Sequence, residues 1–250
     1  MGWYVSHLRL PSQTRTPQET ILIGVVVPAH NEEACIRACL ASILEASSDP
    51  FLAQEPVAVF VVLDCCTDDT KAIAEGMGAQ TVSVLARSVG FARAAGAQAA
   101  LQAGARWLAF TDGDSQVAPN WLSAQLAHHA QGADAVCGTI AVTDWADYGE
   151  KMSVHFGATY VDRDGHRHIH GANLGVSATA YQRAGGFEAL DSQEDVALVA
   201  SLEKLGATIA WSASPRVVTS ARPEFRAPGG FGALLQRIHQ EGLWVLPMAS

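Results

Sequence analysis

The sequence has no C-x-x-C pair, and its five cysteines (Cys35, Cys39, Cys65, Cys66 and Cys137) are odd in number. Both features argue against a complete disulfide framework, and a reducing compartment is the expectation. No apolar run approaches the length of a bilayer span, since those around Ile21 and Val57 are short. Met1-Gly2-Trp3-Tyr4 carries no basic region ahead of a long apolar stretch, so no secretory signal is visible and a cytoplasmic location is expected. Basic residues are scarce: 16 Lys and Arg against 25 Asp and Glu give a formal net charge of −9. That balance argues against nucleic acid as a partner, because such binding draws on clustered cations. A phosphate site here must be local and needs a few placed cations or a metal to offset the protein's own field. What the chain does have is 49% hydrophobic residues over 250 positions, enough for a full globular core.

Residues 1–20 mix Pro, Gln, Thr and Ser without period and read as a leader, whereas Ile21 to Val27 is an apolar, β-branched run of buried-strand type. Past Pro28-Ala29-His30-Asn31-Glu32-Glu33, apolar Cys35, Ile36, Cys39, Leu40, Ile43 and Leu44 recur at helical spacing. The cycle repeats with a strand at Val57 to Leu63, a polar loop at Asp64 to Asp69, and a helix at Thr70 to Met77 with Thr70 as its cap. A short strand at Val82 to Leu85, an Ala-rich helix at Ala92 to Ala103, a strand at Trp107 to Phe110 and a helix at Asn120 to Ala130 follow. Ala135 to Val142 reads as a fifth strand, after which the regularity weakens. Alternating strands and helices predict an α/β fold with a mainly parallel, doubly wound sheet. Such sheets bind ligands at the carboxyl ends of their strands, which selects the loops after Val27, Leu63 and Phe110. One domain over 21–215 is expected, with a first half at 21–115 that carries the selected loops, a second half at 116–215 that receives the second substrate, and a tail at 216–250.

The loop after Phe110 reads Thr111-Asp112-Gly113-Asp114-Ser115. Asp-Gly pairs also make ordinary turns, but at a parallel strand end two close carboxylates can share a hard cation with diphosphate oxygens. Charges about 4 Å apart interact by about 4 kcal/mol at an effective dielectric of about 20, so bare carboxylates would repel a diphosphate and a divalent ion reverses the sign. Such an ion, Mn2+ or Mg2+, also stabilises charge on a leaving nucleoside diphosphate. A second pair of acids, Glu194-Asp195, opens a helix carrying Val196, Leu198, Val199 and Leu202. Acids in a first turn complement the helix dipole, and one of them could also take the proton of an acceptor hydroxyl.

Taken in order, V-V-V-P-A-H-N-E-E, D-C-C-T-D-D-T, R-S-V-G-F-A-R-A-A-G, D-G-D, G-A-N-L-G-V, G-G-F and E-D-V-A-L make the stretch from Ile21 to Gly206 resemble glycosyltransferase family 2. The resemblance implies a Rossmann-like GT-A fold and an inverting, hexosyltransferase-like enzyme that takes a UDP- or GDP-linked sugar to a hydroxyl acceptor. It implies that Pro28, His30, Asn31 and Glu32 border the nucleotide, that Asp64 contacts its base or ribose, and that Arg93 lies near the diphosphate. Asp112 and Asp114 would bind the metal, Asp112 touching the donor as well. Gly171, Ala172 and Asn173 would line the sugar side, Glu194 would shape the acceptor pocket, and Asp195 would be the catalytic base. The chain departs from the family pattern at Leu63, Cys65-Cys66, Ser88, Ala94, Ala197 and Ser201. Gln236-Arg237-Ile238-His239-Gln240 lacks the Q-x-x-R-W of processive synthases, which favours transfer of a single sugar.

The departures motivate an alternative, a non-catalytic nucleotide-sugar or glycan binding module. A sugar-phosphate nucleotidyltransferase ranks last, because Pro28 to Glu33 contains no glycine for a phosphate loop. His166, His168 and His170 alternate and on a strand would share one face, expected to be solvated rather than a zinc site, with His170 the nearest to substrate. Arg216, Arg222 and Arg226 gather in a Gly- and Pro-containing tail able to close over a bound diphosphate. Cys35 and Cys39 share a helix side and are expected to pack in the core.

Overall fold

The computed structural model describes residues 22–190, 192–223 and 230–242; the leader, Ile21 and Arg226 lie outside them. In chain order the elements are β1 (Leu22–Ala29), α1 (Ile36–Ser47), β2 (Val57–Asp64), α2 (Thr70–Gly76), β3 (Gln80–Val84), α3 (Val89–Gln102), β4 (Ala105–Phe110), β5 (Gln116–Val117), α4 (Trp121–Ala130) and β6 (Ala135–Ala141). There follow α5 (Glu150–Thr159), β7 (Leu174–Ser177), α6 (Ala178–Arg183), α7 (Glu194–Lys204), β8 (Ile209–Val218) and α8 (Phe231–Glu241). One sheet runs β3-β2-β1-β4-β7-β6-β8-β5.

Every residue of β1 is buried, and its side chains alternate between two cores, as the two-residue period of a strand requires. Ile23, Val25 and Val27 pack with Ile36, Leu40 and Ile43 of α1 and with Trp121 and Leu122 of α4. Leu22 and Val26 pack with Ala92, Ala97 and Ala100 of α3 and with Leu198 and Leu202 of α7 on the opposite face. A strand covered on both faces reads as a continuous apolar run, which is why β1, β2 and β4 are visible in sequence. Each fully buried Leu, Ile, Val or Phe contributes about 1.5–3 kcal/mol of transfer free energy, and these layers supply most of the core. Small residues let α3 lie close to the sheet. A Cβ on Gly96 would fall 2.4 Å from Val26 Cγ1 and 2.7 Å from Val62 Cγ2.

The sheet is parallel from β3 through β4, as the alternation predicts, and mixed beyond it. β7 pairs antiparallel with both β4 and β6, whereas β6 and β8 run parallel and β5 closes the edge antiparallel to β8. The segment from Gly171 makes a 3-10 turn and then β7, whose four residues are all buried, before α6 begins. A short strand buried on both faces has no alternation to betray it. Thr70 is the first residue of α2 rather than its cap, a position held by Asp69. Among the described residues no helix is long and apolar enough to cross a membrane.

Candidate functional site

The loops at the carboxyl ends of β1, β2, β3 and β4 form one rim, and the loop before α7 closes it. Among the described residues six non-glycines have positive φ, and Asn31, Cys65, Arg87 and Gln193 are spread over that rim. Such conformations cost about 1–3 kcal/mol each and persist where surrounding contacts impose them. The contacts are here: His30 Nδ1 donates to Asp64 O at 2.6 Å, Asn31 Oδ1 accepts from Thr67 N at 2.7 Å, and Glu32 N donates to Thr70 Oγ1 at 2.7 Å. The Asp64 carboxylate accepts the backbone N–H groups of Ala86, Arg87 and Ser88, each at 2.9 Å. Burial would raise its carboxyl, but those donors outweigh it and hold the group below the usual carboxylate range. Asp64 thus clamps the loop that launches α3. In turn Ser88 Oγ donates to Leu190 O at 2.9 Å and ties that launch point to the loop before α7.

Arg93, on α3, is the buried centre of the site, with its side chain 5% exposed. Its guanidinium donates to Asp112 Oδ1 at 2.5 Å and to Glu194 Oε1. Burial alone would lower its basicity, yet the charges of Asp112 and Glu194 push it up, so the cation is held in place. For Glu194 burial dominates, and its carboxyl stays above the usual range despite Arg93. Gly171 lies flat against the same guanidinium: a Cβ there would stand 2.3 Å from Arg93 Cζ, so no larger residue fits without displacing the arginine. The Gly171 N–H donates to Asp195 Oδ2 at 2.7 Å, and Val196 N donates to Asp195 Oδ1 at 2.8 Å, which aims that carboxylate. Residues from β4, α3, the 3-10 turn and α7 are therefore joined through one cation.

Asp112 and Asp114 follow β4, and Gly113 between them packs against the first loop, where a Cβ would meet Pro28 O and Glu32 Cγ at 3.2 Å. Asp114 is pushed up to about 6, first by burial and then by the charges of Asp112 and Glu32, with Arg222 opposing. Excess negative charge of this kind suits a divalent cation, so the donor set fits one. Among the described residues no cluster of three or more His, Cys, Asp or Glu could hold a metal. Magnesium-like ions are commonly held by one or two carboxylates and complete their shell with substrate phosphates and water. The present cation is Arg222, which bonds both oxygens of Glu32 at 2.6 and 2.8 Å and lies 3.1 Å from Asp114.

Asn173 faces inward. It accepts from Trp121 Nε1 at 2.9 Å and donates to Thr139 O and Pro215 O at 2.7 Å each, so its amide holds the frame behind Gly171 and Ala172. The three histidines do share a side, although 166–170 is extended chain rather than strand, and their rings stack with centroids 5.5 and 5.8 Å apart. Tyr160 stacks on His168 at 4.2 Å and bridges the backbone, accepting from Ile140 N while its hydroxyl meets His170 Nε2 at 3.0 Å. Arg216 lies on β8 and pairs with Asp162 at 2.6 Å, away from the crevice carboxylates that Arg222 contacts. Cys39 is buried, and its thiol donates to Asp112 O at 3.3 Å, so it packs beneath the carboxylate loop. The Arg93–Glu194 pair was not apparent in sequence, where partners 101 positions apart leave no local pattern, and Tyr160 stands in no motif.

The sequence matches no curated protein. Solved structures share the fold. S. aureus TarS 1–349 in complex with UDP-GlcNAc superposes with a TM-score of 0.63 at 17% identity, over 91% of this chain and 68% of that one. The mannosyltransferase PcManGT from Pyrobaculum calidifontis, in complex with GDP-Man and Mn2+, gives 0.60 at 18% identity over 87% and 61%. Glucosyl-3-phosphoglycerate synthase from Mycobacterium tuberculosis, in complex with Mn2+, UDP and phosphoglyceric acid, gives 0.55 at 21% identity over 81% and 72%. The fold is therefore that of the GT-A glycosyltransferases. The family model described as glycosyl transferase family 2 matches residues 24–185, well over half the sequence, and the chain belongs to that family.

Proposed function

We propose that this protein transfers one sugar from a nucleoside-diphosphate donor, UDP- or GDP-linked, to a hydroxyl acceptor with inversion at the anomeric carbon. The observation that carries the reading is Arg93. A single buried guanidinium joins Asp112, on the rim where the diphosphate would lie, to Glu194, whose neighbour Asp195 bonds the Gly171 N–H. The loops carrying Pro28, His30, Asn31, Glu32 and Asp64 would receive the nucleotide, and Gly171 and Ala172 the sugar. Asp195, aimed by two backbone donors, takes the acceptor proton as the acceptor oxygen bonds the anomeric carbon. The bond to the diphosphate breaks on the opposite face, and the diphosphate leaves with the electron pair. A divalent cation on Asp112 and Asp114, Mn2+ or Mg2+, would neutralise that leaving charge. Neighbours crystallised with UDP-GlcNAc, or with GDP-Man and Mn2+, support the donor class and the ion. The five free cysteines support action in a reducing, cytoplasmic setting.

Turnover of UDP- and GDP-sugars with Mn2+ tests this. Asp195→Asn is expected to lower kcat by about 10²–10⁴-fold with little change in donor affinity. Unchanged turnover would reject Asp195 as base, and full activity in excess chelator would reject the cation. Tight donor binding with no transfer or hydrolysis would instead support a binding module.

A further inference from the structure

Two carboxylates from separate loops meet on one nitrogen. Arg222 Nη2 lies 2.6 Å from Glu32 Oε1 and 3.1 Å from Asp114 Oδ2, while Nη1 donates to Glu32 Oε2 at 2.8 Å. Glu32 comes from the loop after β1, Asp114 from the loop after β4, and Arg222 from the segment after β8. The position of that nitrogen is thus within bonding reach of both carboxylates, which makes it a seat for a cation. Arg93 cannot serve there, because it is buried on Asp112 and Glu194. Arg222 is differently placed. Its side chain is 25% exposed against 5% for Arg93, so it can withdraw to solvent without opening the core.

We propose that Glu32 joins Asp114 in holding the cation of this site and that Arg222 is the resident occupant of that seat, exchanging with a divalent ion so that the two exclude each other. Glu32 then becomes a cation-site residue, beyond its expected place beside the nucleotide. The proposal rests on the reading of Asp114 as a metal residue. Its consequence is a coupling. The free protein binds a divalent ion weakly because Arg222 must first leave, and a nucleoside diphosphate relieves this by offering the displaced guanidinium a phosphate fork. By linkage each ligand strengthens the other to the same degree.

Mn2+ is titrated alone, by calorimetry and by thermal shift, into the wild type and into Arg222→Gln, Arg222→Lys, Glu32→Gln and Asp114→Asn, with circular dichroism to check folding. Without nucleotide, Arg222→Gln should bind Mn2+ about tenfold more tightly than wild type and Glu32→Gln about tenfold more weakly, a size typical of coupling between sites. Arg222→Lys, which keeps the charge, should stay near wild type. UDP should strengthen Mn2+ binding in the wild type and much less in Arg222→Gln. A folded Arg222→Gln that binds Mn2+ no better than a wild type whose binding is lost in Asp114→Asn overturns the exchange and leaves the metal reading intact. Folded proteins that never bind Mn2+, with or without UDP, overturn both.

Discussion

Arg93 and Arg222 each stand between two carboxylates, one in the interior of the site and one at its rim. Around Arg93 the helix, the strand end and the 3-10 turn are packed so closely that Gly171 has no room for a Cβ. Around Arg222 the guanidinium remains a quarter exposed. The same pairing therefore has different consequences. A buried ion that loses its partner leaves an uncompensated charge in a medium that cannot solvate it, whereas at the rim water replaces much of what is lost. The inner arginine is a fixture of the architecture, and the outer one is free to change partners.

The sharpest way to break the comparison is Arg93→Met, which leaves the buried Glu194 carboxylate unpaired. A loss of about 3–5 kcal/mol is expected in urea unfolding at neutral pH. A loss below about 1 kcal/mol would mean that the two sites do not differ in kind.

The next effect belongs to the histidine segment 166–170. His170, pushed down to about 3 by burial and by His168 and His166, meets the Tyr160 hydroxyl as a neutral ring. The unfolded chain takes up that proton near pH 6.5, and the native state does so only near 3. Stability from this group is thus complete above about pH 6.5 and falls as the pH drops toward 3, by up to about 1.4 kcal/mol per pH unit. His170→Asn keeps an acceptor for Tyr160 and does not titrate, so urea melts between about pH 6.5 and pH 4 should flatten. An unchanged slope would assign the acid sensitivity to other groups.

The smallest effect is Arg222→Gln, expected to cost about 1 kcal/mol or less at neutral pH by thermal or urea unfolding. A cost near that of Arg93→Met would show the rim pair to be structural and would weigh against exchange.

β1, β2, β4 and β6 were legible because they are largely buried and read as apolar runs, while α1 shows helical spacing. β5, β7 and β8 were not. They are short or border irregular chain, and β7 is set by pairing with β4 and β6 rather than by any pattern of its own. In the site, Asp112-Gly113-Asp114 and Glu194-Asp195 stood out as local acid pairs. Asn173 did not reveal that its amide turns inward onto Trp121, Thr139 and Pro215. Asp64 gave no sign that its carboxylate would be taken up by the loop after β3.

By itself, then, the sequence determined the alternating α/β order, the loops that bear polar residues, and the family motifs, because periodicity and short-range spacing are properties of the chain. Only the tertiary structure decided which charges meet. Arg93 finds Glu194 101 positions away, and Arg222 finds Glu32 190 positions away. Electrostatic attraction depends on distance in space and on the exclusion of water, and both are fixed only when the sheet and its helices close.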